Sequence, residues 1–307
     1  MKRVTNLNID FMGRRKLAFA FSALMVVASI IALVIQGLAL GLDFTGGTLI
    51  EVQYASAPTL DSVREALAQG GFNDVSVQTF GAANEVLIRL QQAFDADVGQ
   101  RIVDLLAQGG VDVNLVRAEF VGAQVGDQLR DQSGLGMLLA LGGVMLYVAF
   151  RFQYKFALGA LVSLVHDVII VLGVFAAFQL EFDLTVLAAV LAVIGYSLND
   201  TIVVYDRIRE NIRKSRIDDM AQIFNEAINQ TLSRTLATSG TTILVLVALA
   251  VLGGDMIHNF AIALLVGIGI GTFSSIYVAS ALLIQLKLQR KDLIPEKKED
   301  PEAEELP

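Results

Sequence analysis

The chain has 307 residues, of which 54% are apolar and 18% are charged, with no cysteine and a formal net charge of −8. Soluble domains usually have about 45–50% apolar and about 25% charged residues, so this composition argues against a single soluble globule. The lack of cysteine excludes disulfides and thiolate metal sites, and a total of two histidines argues against a zinc centre.

Six apolar runs are long enough for a helix to cross roughly 30 Å of hydrocarbon. In chain order they cover residues 17–40, 134–150, 156–178, 184–205, 234–252 and 260–286. A cleaved signal peptide is the alternative for the first run, which follows a basic start. Its length of about 24 residues exceeds the 7–15 residues of a signal core, so we predict an uncleaved first span and six transmembrane helices in all.

The basic residues indicate the orientation of these spans, because cytoplasmic loops carry an excess of Lys and Arg. Segments 1–16, 151–155, 205–234 and 287–307 hold 18 of the 23 basic residues, whereas segments 179–184 and 253–259 hold none. We therefore predict a cytoplasmic N-terminal segment (1–16), a cytoplasmic C terminus and an exported insert (41–133).

The insert has the pattern of a small domain. Predicted strands cover residues 47–54, 75–80, 86–90 and 113–120, and predicted helices cover residues 59–69 and 95–108. The order βαββαβ is that of a ferredoxin-like fold. The insert shows no nucleophile–base pair and no cluster of metal ligands, so docking or contact with a substrate is a better expectation than catalysis.

On the cytoplasmic side, residues 219–232 have apolar positions at helical spacing, which predicts an amphipathic helix lying on the membrane surface. Residues 287–307 mix Lys, Glu, Asp and Pro, so we predict a disordered tail. Gly267 and Gly271 form a GxxxG pair in the sixth span, and Gly142 and Gly143 lie in the second; such glycines permit close helix contact.

Three titratable residues lie well inside the apolar runs: His166 and Asp167 in the third span and Asp200 in the fourth. A charged group at the bilayer centre costs about 2.5–3.5 kcal/mol on insertion scales, so each needs a reason. For His166 and Asp167 a purely structural pair remains open, as does a functional role.

Asp200 is the stronger candidate for function. Tyr196 and Ser197 lie one turn before it, and with Asn199 they are possible supporting polar residues. Arg234 stands at the cytoplasmic start of the fifth span, about the length of an arginine side chain from the expected depth of Asp200. Burial favours a neutral carboxyl and a nearby guanidinium favours a charged one, so a carboxyl that gains and loses such a partner is a proton-coupled switch. The alternatives are a hydrogen-bonded structural carboxyl and an arginine that snorkels to the interface.

Several stretches resemble the SecD/SecF family of bacterial protein-export membrane proteins, within the RND superfamily. They are NIDFMGRR (8–15), GLDFTGGTLIEV (41–52), the pair His166-Asp167, FDLTVLAAVLAVIGYSLNDTIVVYDRIREN (182–211) and NQTLSRTLATS (229–239). The resemblance covers about residues 8–287. It implies an RND-like half of six membrane helices, with one ferredoxin-like periplasmic domain between helices 1 and 2. The family's membrane carboxylate falls on Asp200 and its arginine on Arg234.

The resemblance further implies a role in the Sec machinery of the bacterial inner membrane. The expected partners are SecD, the SecYEG channel, YajC, the SecA ATPase acting before this chain, the unfolded exported polypeptide and membrane lipid, with no nucleic acid. The proton-motive force would supply the energy, so we expect protons as the coupling ion, no cofactor and no hydrolytic or redox chemistry.

Three alternatives stay open at this point. A small-molecule RND exporter would share the fold and proton path, but such pumps usually carry two large exported inserts and twelve spans. An intramembrane aspartyl protease needs two carboxyls that share a proton, and the contexts HD and SLND lack the motifs of that activity. The third is a scaffold without proton coupling.

Overall fold

The structure is a computed structural model that describes residues 9–73, 75–90, 97–108, 110–215, 217 and 219–293. In chain order its elements are α1 (Arg15–Ile35), β1 (Ala39–Leu40), α2 (Leu42–Thr45), β2 (Gly47–Tyr54), α3 (Leu60–Gln69), β3 (Val75–Phe80), β4 (Ala82–Leu90), α4 (Val98–Ala107), β5 (Val113–Val121), α5 (Ala123–Arg151), α6 (Tyr154–Phe178), β6 (Glu181–Phe182), α7 (Leu184–Lys214), α8 (Met220–Leu252), α9 (Asp255–Ser274), a π-helical turn (Ser275–Ala279), α10 (Ser280–Gln285) and α11 (Arg290–Leu293).

The prediction of six spans is confirmed. Within the described part of the chain, α1, α5, α6, α7, α8 and the continuous unit from α9 to α10 are long and apolar enough to cross a membrane. Side-chain caps fix where two of them begin. The Asp183 carboxylate accepts from the Val186 amide at the start of α7, and the Asp219 carboxylate accepts from the Ala221 amide at the start of α8.

The expected surface helix at residues 219–232 is wrong as a separate element, because α8 runs without a break from Met220 into the fifth span. Its apolar side chains are buried in the main core instead of facing lipid headgroups; they include Ile223, Phe224, Ala227, Ile228 and Leu232. The N-terminal segment covers this stretch: the Ile9 amide donates to Asn229 Oδ1 and the Met12 amide to Asn225 Oδ1. An apolar stripe has the same sequence pattern whether lipid or protein covers it.

The expected disorder from residue 287 onward does not hold for its first part. Leu288 and Leu293 are buried, and Lys155 Nζ lies 2.7 Å from Asp292 Oδ2. Residues 294–307 lie outside the described residues, as do residues 1–8 of the predicted N-terminal segment.

The membrane helices divide into a central and a peripheral set. About half of the most apolar stretch is buried in α6, α7 and the α9–α10 unit, against 17% in α1 and α8 and 6% in α5. The predicted GxxxG contact lies at the centre: a Cβ on Gly267 would meet the Val193 side chain at 2.1 Å, and one on Gly271 would meet Ser197 Cβ at 3.0 Å. Gly142 and Gly143 of α5 face open space, so they make no close contact here.

The insert forms the expected ferredoxin-like domain. Its sheet has the order β3-β4-β2-β5 with every neighbouring pair antiparallel. Strand β4 therefore lies between β2 and β3, which helix α3 connects, and this is the split βαβ arrangement. Helices α3 and α4 pack on one face through buried residues that include Val63, Leu67 and Ile102.

The domain is joined firmly to the membrane helices. Strands β1 and β6 pair in parallel, and the Arg89 guanidinium of β4 lies 2.5 Å from Glu181 Oε1. Burial raises the pKa of Glu181, and the charge of Arg89 partly offsets this. Gly46 has φ +64° and its missing Cβ would lie 2.6 Å from Ala123 Cα, so only glycine fits where β2 meets α5.

Candidate functional site

Asp200 lies on α7 at the centre of the helix bundle, with 2% of its surface exposed. Its one hydrogen bond from a described side chain is a long one, from Ser239 Oγ of α8 to Oδ2 at 3.4 Å. Ser239 in turn lies 2.8 Å from Thr272 Oγ1 of α9. A carboxyl with a single distant donor has little to hold it in the charged form.

Asp167 on α6 has a different environment. Its Oδ2 accepts from Ser197 Oγ at 2.6 Å and from Ser274 Oγ at 2.8 Å, while His166 Nδ1 lies 2.9 Å from Oδ1. Ser163 donates to Ser274 at 3.0 Å and extends the cluster. Asp167 therefore ties α6 to both α7 and α9.

Another pair of hydroxyl groups joins α7 to the π-helical turn that follows α9. Thr201 Oγ1 and Ser275 Oγ are 2.8 Å apart, and Ser275 is the first residue of the π-helical turn. Ser275 also donates to the Ser197 carbonyl at 3.4 Å. The turn brings an extra residue into the helix, so adjacent serines, Ser274 and Ser275, both face polar partners.

The structure brings together only some of the predicted residues. Ser197 contacts Asp167 instead of Asp200, and Tyr196 Oη lies 3.3 Å from Thr242 Oγ1 of α8. Asn199 is exposed on the outer surface of α7. Arg234 is also exposed, and no ion pair joins it to Asp200 among the residues that the structure describes.

The hydroxyls of α8 and α9 were missed in the sequence. Ser239 donates to Asp200 and bonds Thr272, and Ser274 donates to Asp167. A search for Ser and Thr within the fifth and sixth spans would have found them as candidate donors. The sequence could not say which carboxyl each would serve, because this depends on the packing of three helices and on the π-helical turn.

The two carboxyls do not form a shared catalytic pair. Within the described chain no hydrogen bond joins Asp167 and Asp200, and their donors come from different residues. Ser197, which bonds Asp167, lies three residues before Asp200, a rise of about 4.5 Å along α7. This separation in depth does not favour the proton-sharing geometry of an aspartyl protease.

Comparison with known families gives two matches. The C-terminal model of the protein export membrane proteins SecD/SecF matches residues 101–289, and the SecD/SecF GG motif matches residues 31–58. The protein translocase subunit SecF of Pseudomonas aeruginosa is 53% identical over 294 residues, which cover 95% of this chain and 96% of that protein. The SecF of Escherichia coli O157:H7 is 40% identical over 301 residues, covering 96% and 93%.

Solved structures give the same family. The crystal structure of SecDF, a translocon-associated membrane protein from Thermus thermophilus, has a TM-score of 0.86 at 35% identity over 94% of this chain. SecDF in a super-membrane-facing form has a TM-score of 0.71 at the same identity. The present chain covers 40% of either SecDF chain. Since the matched regions take up most of its length, this protein belongs to the SecD/SecF family of protein-export membrane proteins.

Proposed function

We propose that this chain works as the SecF subunit of the protein translocase. It assists the movement of exported polypeptides through the SecYEG channel after SecA has inserted them, and the proton-motive force supplies the energy. The chain matches SecF relatives over nearly their whole length but covers 40% of the SecDF chain. In this proposal a SecD chain is the partner that corresponds to the rest of SecDF, and YajC is an accessory partner.

The observation that carries proton coupling is the environment of Asp200. The residue is almost fully buried between α7, α8 and α9. Among the described side chains, a single hydroxyl donates to it, at 3.4 Å. Protonation there removes an expensive buried charge and breaks at most one weak bond. The coupling ion is the proton, so the proposal includes no cofactor and no hydrolytic or redox step.

Arg234 is the partner in the second state of the proposed switch. It precedes Ser239 by five residues on α8, which places it about 7.5 Å along the helix and about 140° around it. The described residues show no ion pair between Arg234 and Asp200, and a turn or shift of α8 would bring Arg234 to Asp200. A proton from the exported side then releases Arg234, and each charge that crosses about 100 mV yields about 2.3 kcal/mol for this movement.

The junction with the exported domain passes the movement on. Glu181 and Asp183 lie in the short loop that joins α6 to α7, and Arg89 of β4 binds Glu181. The proposed orientation has both termini in the cytoplasm and residues 41–133 in the periplasm of a bacterial inner membrane. The domain thereby faces the unfolded polypeptide as it leaves the channel.

Depletion of the chain in cells tests the function directly. The proposal expects unprocessed secretory precursors to accumulate, and SecD to co-purify with the tagged chain from solubilised membranes. Complementation with the wild-type chain is the control. Sensitivity to antibiotics without accumulation of precursors would indicate a small-molecule exporter and would contradict the proposal.

A further inference from the structure

A basic cavity lies at the end of the helix bundle opposite the exported domain. Its volume is about 410 Å³, and it lies between the C-terminal ends of α5 and α7. Four cationic and two acidic side chains line it: Arg151, Arg209, Arg213, Lys214, Asp206 and Glu210. The lining therefore carries a net charge of about +2 at neutral pH.

Each acidic residue of the cavity already lies beside a cation, which leaves Arg209 and Arg213 without an ion-pair partner among the described residues. Glu210 bonds Lys214 at 2.6 Å and also Arg207 outside the cavity, at 2.9 Å. Asp206 lies 3.7 Å from Arg151, beyond hydrogen-bond distance. No carboxylate of the described residues pairs with Arg209.

An aromatic ring holds two of the cations together. The guanidinium carbons of Arg151 and Arg209 lie 5.3 and 5.0 Å from the centre of the Phe152 ring. Nε of Arg209 is buried without an acceptor in the described chain, and its Nη1 reaches only the Arg151 carbonyl, at 3.5 Å. Like charges gathered with so few acceptors favour an anion with several oxygens.

The cavity opens beside the surface that faces lipid. Phe150 and Tyr154, on either side of Arg151 and Phe152, are 84% and 72% exposed, and Tyr147 is 52% exposed one turn earlier. Exposed aromatic residues at the end of a span mark the level of the lipid headgroups. An anion bound in the cavity therefore lies where the phosphates of one leaflet lie.

We propose that this cavity binds the phosphate headgroup of an anionic phospholipid. Arg209 and Arg213 face the phosphate oxygens as donors, while the acyl chains follow the exposed apolar surface of α5. The site is separate from the proposed proton-coupling residues, because neither Asp200 nor Arg234 lines the cavity, and Arg209 lies nine residues beyond Asp200 on α7.

Native mass spectrometry of the full chain with its SecD partner tests this proposal. The complex is purified in detergent micelles with phosphatidylglycerol or, separately, with phosphatidylcholine. We expect a tightly retained phosphatidylglycerol molecule and no retained phosphatidylcholine. The variant Arg209→Gln/Arg213→Gln should weaken retention about tenfold or more, since each cation near the lipid surface contributes to binding.

Two further variants separate the cavity from general charge and from misfolding. Arg14→Gln/Lys16→Gln removes two charges at the same end of the bundle outside the cavity and should retain the lipid. Arg213→Gln alone removes a side chain that has no ion pair among the described residues, so the variant should fold normally and still weaken binding severalfold. Three results would overturn the proposal: an equal loss of lipid from the Arg14→Gln/Lys16→Gln control, full retention of lipid by the cavity variants, or equal retention of phosphatidylcholine. Displacement of the lipid by millimolar inorganic phosphate would do so too, because the ligand would then be free phosphate.

Discussion

The two buried carboxyls of the membrane region are almost equally buried, but they differ in the number and length of their hydrogen bonds. Asp167 is 1% exposed and accepts from two serines at 2.6 and 2.8 Å, with His166 at 2.9 Å. Asp200 is 2% exposed and has one described donor, Ser239 at 3.4 Å. Burial alone therefore does not separate the two carboxyls, whereas the number and distance of their donors does.

The helices that supply the donors explain this difference. The donors of Asp167 lie on three central helices, α6, α7 and α9, and α9 packs closely on α7 at Gly267 and Gly271. The donor of Asp200 lies on α8, of which only 17% of the apolar stretch is buried. The donors of Asp167 therefore lie on central helices and the donor of Asp200 on a peripheral one, and the proposed switch assigns the movement to that peripheral helix.

The largest expected effect is that of Asp200→Asn on protein export. We expect precursors to accumulate to the level of the depleted strain, because the variant keeps the shape of the side chain but carries no exchangeable charge. The fraction of processed precursor measures this. Asp200→Glu, which keeps a titratable carboxyl, should retain part of the export activity. Full export by Asp200→Asn would contradict a functional role for Asp200.

Asp167→Ala should cause the larger loss of stability. Its removal takes the carboxylate acceptor from Ser197, Ser274 and His166, although Ser274 can still donate to the Gly271 carbonyl, and we expect a loss of about 3 kcal/mol in the free energy of unfolding. Unfolding in mixed micelles measures it. Asp200→Ala is the matched variant, for which about 1 kcal/mol or less is expected. Equal losses for the two variants would show that the hydrogen-bond count does not separate the sites.

Gly267→Ala tests the packing that fixes the central helices. The added Cβ would lie 2.1 Å from the Val193 side chain, so we expect a loss of about 1–3 kcal/mol in stability. Gly269→Ala, two residues along the same helix, has open space for a Cβ and should leave stability unchanged or slightly raised. The contact between α7 and α9 would not be tight if both variants behaved alike.

The smallest expected effect on stability is at Glu181. This half-buried carboxyl lies outside the membrane spans and can be compared with the two inside them. Burial raises the pKa of Glu181 above its ordinary 4.5, with a partial offset from Arg89, so the folded protein holds this proton more tightly than the unfolded chain. The resulting stability is complete below the ordinary pKa and is lost as the pH rises through the raised one. Glu181→Gln should reduce the fall in the unfolding midpoint as the pH rises from below the ordinary pKa through the raised one. An unaltered pH profile would count against this assignment.

The sequence was sufficient for the elements whose local pattern determines them. Strands at 47–54 and 75–80 have the predicted bounds, and the βαββαβ order follows from the glycine stops and the alternation of apolar residues. The prediction of a surface helix at residues 219–232 was wrong because an apolar stripe does not indicate whether lipid or protein covers it. The segment that covers it, around Phe11 and Met12, lies more than 200 residues away in the chain.

Only the buried carboxyl residues of the candidate site could be predicted from the sequence. Asp167 and Asp200 stand out because a charge in an apolar run needs compensation. Ser239 and Ser274 do not stand out, since a hydroxyl in a membrane helix can bond its own backbone. Only the packed arrangement of α6, α7, α8 and α9 shows which hydroxyl meets which carboxyl.

The central claim is that Asp200 carries the coupled proton while Asp167 holds helices together. Proton flux into proteoliposomes that contain the full complex tests it most directly, with Asp200→Asn, Arg234→Lys and Asp167→Asn compared at equal amounts of folded protein. We predict flux at background for Asp200→Asn, reduced flux for Arg234→Lys and near wild-type flux for Asp167→Asn. Wild-type flux in both Asp200→Asn and Arg234→Lys would contradict the account.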